Sequence, residues 1–115
     1  MKTAMLIVFL ALASSFAHAA GNAGAGADKA KARACASCHG ADFNTPVSAD
    51  IPVLAGQFDD YLARALTDYK SGARKNAIMN GQAANLSAQD IQDLAAYISS
   101  LGGKLKVVPL HRLVH

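Results

Sequence analysis

Cys35-Ala36-Ser37-Cys38-His39 is the stretch on which the reading of this chain turns: two thiols three positions apart, with an imidazole on the next residue. Four chemistries compete for such a motif. A zinc site needs two further ligands, but the chain has no second cysteine pair, and its other histidines past residue 19 are His111 and His115, both in the C-terminal tail. A thioredoxin-like dithiol wants a strand before it and a βαβ setting, and no strand pattern precedes it. A structural disulfide would leave His39 without a role. The remaining reading is covalent attachment of a c-type haem: each thiol bonds one vinyl group of the same porphyrin, and His39 is held beside the ring as an axial ligand of its iron. With a single C-x-x-C-H, the expectation is one haem per chain.

Working outward, Gly21 to Gly26 reads as a flexible Gly/Ala lead-in, and Asp28 as the cap or start of a helix that delivers Cys35. From Gly40 to Gln57 the breakers Asn44, Pro46, Pro52 and Gly56 predict a long loop across one face. Apolar residues at 58, 61, 62, 65, 66 and 69 predict an amphipathic helix over 58–71, with Gly72 as its C-cap. Ala73 to Asn85 reads as a second loop. Ser87 and Asp90 then form a capping box for a last helix whose apolar face carries Ile91, Leu94, Ala95, Ile98 and Leu101, ended by Gly102-Gly103. The expected class is all-α.

Iron bound by His39 needs a sixth ligand, and a methionine thioether there raises the reduction potential. Met79 is the only methionine beyond the first 19 residues, and its polar, Gly-containing surroundings argue against a core-filling role. His111 is the competing candidate. Burial of the ring is expected from Leu54, Leu62, Leu66, Ile78, Leu86 and Leu94.

Lys2, the apolar run from Met5 to Leu12, and Ala17-His18-Ala19 together read as a secretory signal over residues 1–19. The mature chain is then expected to be a periplasmic domain over 20–103 with a tail at 104–115, and no membrane span. Between Ala20 and Gly103 there are seven basic and eight acidic side chains, a net of −1, which gives no case for nucleic acid binding. A domain this small has a thin core, and a covalently attached ring would supplement it.

These segments resemble class I c-type cytochromes, especially the single domains of bacterial dihaem cytochromes c and their monohaem relatives. The resemblance runs from about Lys29 to Leu101. It is carried by Cys35 through Asp42, Ile51-Pro52-Val53-Leu54-Ala55-Gly56-Gln57, Tyr61-Leu62, Tyr69-Lys70-Ser71-Gly72 with Arg74, Ile78-Met79, and Ala83 through Ser87 with Asp90-Ile91. It implies helices wrapped around the haem, His39 and Met79 as axial ligands, and the carbonyl of Pro52 accepting a hydrogen bond from the other His39 nitrogen. There are departures: Phe43 stands where relatives often have Gly, and a bulky residue there is expected to disfavour a left-handed turn; Gln82 stands where some have a second Met.

With both axial positions filled by protein, outer-sphere electron transfer between redox proteins is the expected function, with weak, fast docking. The cluster Lys70, Arg74 and Lys75 reads either as a solvated helix end or as a patch that steers an acidic partner. The alternatives are a haem subunit of an exported redox enzyme, or a small-ligand-binding or peroxidase-like protein, either of which needs Met79 not to ligate. A third is a redox sensor that signals through the tail.

Overall fold

A computed structural model describes residues 20–105; the expected signal segment and residues 106–115 of the tail lie outside the described residues. The described chain has helices and no strand: α1 (Ala23–Ala32), α2 (Ala36–His39), α3 (Asp59–Ser71), α4 (Ala77–Ala83) and α5 (Ala88–Ser100). None of them is long and apolar enough to cross a membrane.

The two terminal helices cross and form the scaffold. α1 begins earlier than Asp28, because Asn22 caps it by accepting from the Ala25 amide. The supposed flexible lead-in is therefore helical. Its glycines serve closeness: a Cβ on Gly26 would lie 1.9 Å from the carbonyl oxygen of Asp93, so only Gly lets α1 rest on the backbone of α5 there. Buried Asp93 completes the joint by accepting from the Asn22 amide and the Gln89 side chain, both at 2.8 Å. Two acceptor bonds compensate the cost of burying this carboxylate.

The local signals around α3 and α5 translate directly. Gly72 adopts φ 81°, the left-handed C-cap that ends α3. Ser87 accepts from the Asp90 amide while the Asp90 carboxylate accepts from the Ser87 amide, closing the capping box of α5. α3 then packs across α5, and α4 against α3.

The core is thin. Five of its eleven buried apolar residues are alanines; Phe43, Leu62, Leu86, Ile91, Leu94 and Ile98 carry the bulk. Each such large side chain contributes about 1.5–3 kcal/mol on burial, and an alanine much less. A fold of this composition gains from any further apolar mass seated among its helices.

Candidate functional site

The attachment motif is delivered by a reversal of the chain. α1 ends at Arg33; Ala34 then takes φ 53°, and the amides of Ala34 and Cys35 return to the carbonyls of Lys31 and Ala30. This left-handed step costs a non-glycine residue about 1 kcal/mol, and it starts the single turn of α2 on which Cys35, Cys38 and His39 stand. Both thiols are unpaired. Burial pushes the Cys35 thiol up, while its own backbone amide and the nearby Arg33 charge pull the other way.

His39 is 8 % exposed, and its Nδ1 lies 3.0 Å from the carbonyl oxygen of Pro52. A carbonyl only accepts, so Nδ1 is the donor in this contact, and Nε2 is the ring nitrogen left to face a metal. The loop over 40–57 supplies that carbonyl and is itself strongly tied. The Asp42 carboxylate accepts from the amides of Asn44 and Thr45, which holds its pKa below the ordinary value. The Phe43 carbonyl accepts from both Leu54 and Ala55 at 2.9 Å, and the Val47 amide donates to the Cys38 carbonyl.

Phe43 corrects the sequence expectation. It does adopt the left-handed turn, at φ 55°, despite its bulk. What offsets the strain is burial: Phe43 is 2 % exposed, lies stacked beside the His39 ring at 6.5 Å between centroids, and meets Tyr97 edge-on at 6.0 Å. Its turn thus gives the histidine an aromatic wall.

Met79 requires a second correction, since it stands on α4 and not in a loop. Asn76 caps that helix by accepting from the amides of Ile78 and Met79. Asn80 then anchors it, with Nδ2 donating to the carbonyls of Tyr69 at 2.7 Å and Arg74 at 2.8 Å. Seven residues containing Asn80 and Gly81 show too little period for the pattern to be visible in sequence. The Met79 side chain is half-buried.

These groups meet at one cleft of about 550 Å³, including its open mouth, lined by Cys35, Cys38, His39 and Met79. Leu54, Leu66, Ile78 and Leu94 line it as expected, whereas Leu62 and Leu86 lie in the core. An apolar cleft with two unpaired thiols, an imidazole and a thioether on its wall fits covalently attached haem c, and its location among the helices matches the thin core. Among the described residues no cluster of His, Cys, Asp and Glu offers a different metal site.

Two further features of the site carry no sequence signature. Arg33 lines the cleft and donates through Nη2 to the carbonyl of Gln82 at 2.6 Å, tying the end of α1 to α4; the contact spans 49 residues, which no local pattern encodes. In the cation cluster, Lys70 donates to the Leu86 carbonyl, and the Arg74 guanidinium lies 4.9 Å above the Tyr69 ring. Both have partners within the domain, as a helix end requires.

The sequence model of the cytochrome c family matches residues 23–102. Cytochrome c4 of Pseudomonas aeruginosa is 48% identical over 87 residues, covering 76% of this chain and 42% of that protein. The thiosulfate dehydrogenase electron acceptor of Thiomonas intermedia is 41% identical over 80 residues, covering 70% of this chain and 37% of that protein. A solved structure of reduced cytochrome c4 from Pseudomonas stutzeri superposes with a TM-score of 0.65 at 40% identity, over 75% of this chain and 48% of that one. The chain spans about half the length, or less, of these relatives. It has the class I cytochrome c fold, its cofactor is haem c, and it belongs to the cytochrome c family.

Proposed function

We propose that this chain is an exported electron carrier that passes single electrons between redox proteins in the periplasm. The observation that carries the reading is the convergence of His39 and Met79 on the cleft that holds both thiols. Bound there, haem c supplies a one-electron couple between ferric and ferrous iron.

The side chains then have separate tasks. Cys35 and Cys38 would hold the ring through two thioether links. His39 ligates through Nε2, oriented by its Nδ1–H donated to Pro52. Met79 would be the second iron ligand and would shift the couple to higher potential, because a thioether gives little charge to the oxidised metal. Iron held by both His39 and Met79 would have no site open to a substrate, so this pair favours electron transfer over turnover at the metal. Leu54, Leu66 and Leu94 exclude water from the ring and lower the local dielectric. Partners meet the protein by weak, transient docking of small area, as redox encounters do. The name of the Thiomonas relative, an electron acceptor, agrees with that role.

The test is an absorption spectrum of the purified holoprotein, oxidised and reduced. The ferric form is expected to show the weak long-wavelength sulfur-to-iron band, and Met79→Ala is expected to abolish it while retaining covalent haem. Covalent haem without the band in the unmodified protein would redirect the assignment to ligand binding, catalysis or a second histidine. Absence of bound haem would overturn it altogether.

A further inference from the structure

Met79 sits on a short helix at the edge of the fold, and what holds that helix decides how firmly a sixth ligand stays in place. α4 leans on α3 through Asn80, but on the cleft side it has a different tether. The Arg33 guanidinium leaves the end of α1, two residues before Cys35, and its Nη2 donates to the carbonyl of Gln82, within one turn of Met79. Arg33 and Gln82 both line the cleft with the thiols and the thioether. The Arg33 Nε is fully buried at this wall with no hydrogen-bond partner among the described residues. An unpartnered buried guanidinium nitrogen is costly, so the side chain is held in this position by what its other end gains.

We propose that Arg33 is a positioning residue for the sixth ligand: it straps α4 to the haem-attachment segment and so keeps Met79 on the iron. The inference rests on Met79 being the ligand. It follows from the connection made. The thioether links fix residues 35–39 to the ring, Arg33 is two residues away, and its bond to Gln82 carries that fixity to the helix that bears Met79. A charge-assisted bond to a carbonyl is stronger than a neutral one, and it sits where a swing of α4 would have to begin. Lysine could supply the charge at this site but not the planar fork.

The experiment measures imidazole affinity of the ferric holoprotein, since imidazole binds only as Met79 leaves, alongside the sulfur-to-iron band. Arg33→Ala is expected to raise imidazole affinity about tenfold, the effect of losing one charge-assisted hydrogen bond. Arg33→Lys is expected to raise it by less, with the band weakened in the same order. Should the Ala variant fail to mature with haem, the Lys variant carries the test alone. Affinities within twofold of the unmodified protein would overturn the strap. Failure of the underlying reading looks different: the unmodified protein would then lack the band from the start.

Discussion

The two sides of the cleft are built in opposite ways. On the His39 side, the proposed ligand is buried, its Nδ1 is tied to Pro52, its ring lies against Phe43, and the loop behind it is fastened to itself and to α5 through the Gly56 amide and the Ile98 carbonyl. On the Met79 side, the proposed ligand is half-buried on a seven-residue helix, the neighbouring Ile78 is 69 % exposed, and apart from buried Ala83 the fastening consists of a few hydrogen bonds made by the side chains of Asn76, Asn80 and Arg33. One side is held mainly by packing and the other mainly by tethers. Packing is lost only when the fold is lost, whereas tethers can release one at a time. On the proposed function, the difference separates an axial ligand fixed by the fold from one whose hold can be tuned.

The largest effect that tests this contrast lies at Phe43. Truncation to Ala removes a fully buried aromatic side chain and leaves the strained φ in place, so Phe43→Ala is expected to destabilise the holoprotein by about 3–5 kcal/mol in denaturant unfolding. Phe43→Gly opens a similar void but relieves the left-handed strain, and is expected to recover about 1 kcal/mol of that loss. In both variants the sulfur-to-iron band should survive until global unfolding, because the tethers on the other side are intact. Early loss of the band at low denaturant would mean that the two sides are one cooperative unit.

A smaller and more local effect is expected at Asn80. Its side chain donates to the carbonyls of Tyr69 in α3 and of Arg74 in the turn after it, and accepts from the Asn76 amide, and all three bonds vanish in Asn80→Ala. At about 1 kcal/mol net for each bond, and with solvent replacing part of the loss, a cost of about 2 kcal/mol is reasonable. It should fall on α4 first. The sulfur-to-iron band is expected to melt several degrees below the far-ultraviolet helix signal in this variant, and the two are expected to coincide in the unmodified protein. Coincident melting in the variant would show that α4 does not open by itself.

The same division explains what was legible in the sequence. Ser87 with Asp90, Gly72, and the apolar period of α3 and α5 are local signals, written within one or two turns, and the structure repeats them. The attachment motif is local too. What stayed hidden depends on distant contacts: the glycines of α1 read as flexible until α5 lies against Gly26, Phe43 reads as unfit for its turn until His39 and Tyr97 enclose it, and α4 is too short to show a period without Tyr69 and Arg74 to anchor Asn80. Arg33 belongs to this group, since its value comes from Gln82.

The smallest expected effect concerns the scaffold that both sides share, and it sharpens the contrast by touching neither ligand. Asp90 accepts from the Ser87 amide and faces Lys29 of α1 at 3.0 Å, and these two contacts hold its pKa below the ordinary carboxylate value. A carboxylate whose folded pKa lies below its unfolded one contributes stability above the unfolded value, near 4, and loses it as pH falls through the folded value. The Lys29 pair is partly exposed, so screening reduces its share, and most of the effect belongs to the cap. Asp90→Asn should therefore cost at most about 1 kcal/mol at neutral pH and flatten the acid limb of the stability curve below pH 4. Because α5 lies behind both sides, its loosening has no preferred ligand: the sulfur-to-iron band and the helix signal should fall together on acidification. A band that disappeared first in acid, in the Asp90 variant but not in the unmodified protein, would place the α5 cap among the tethers of Met79 and move the boundary between the two sides.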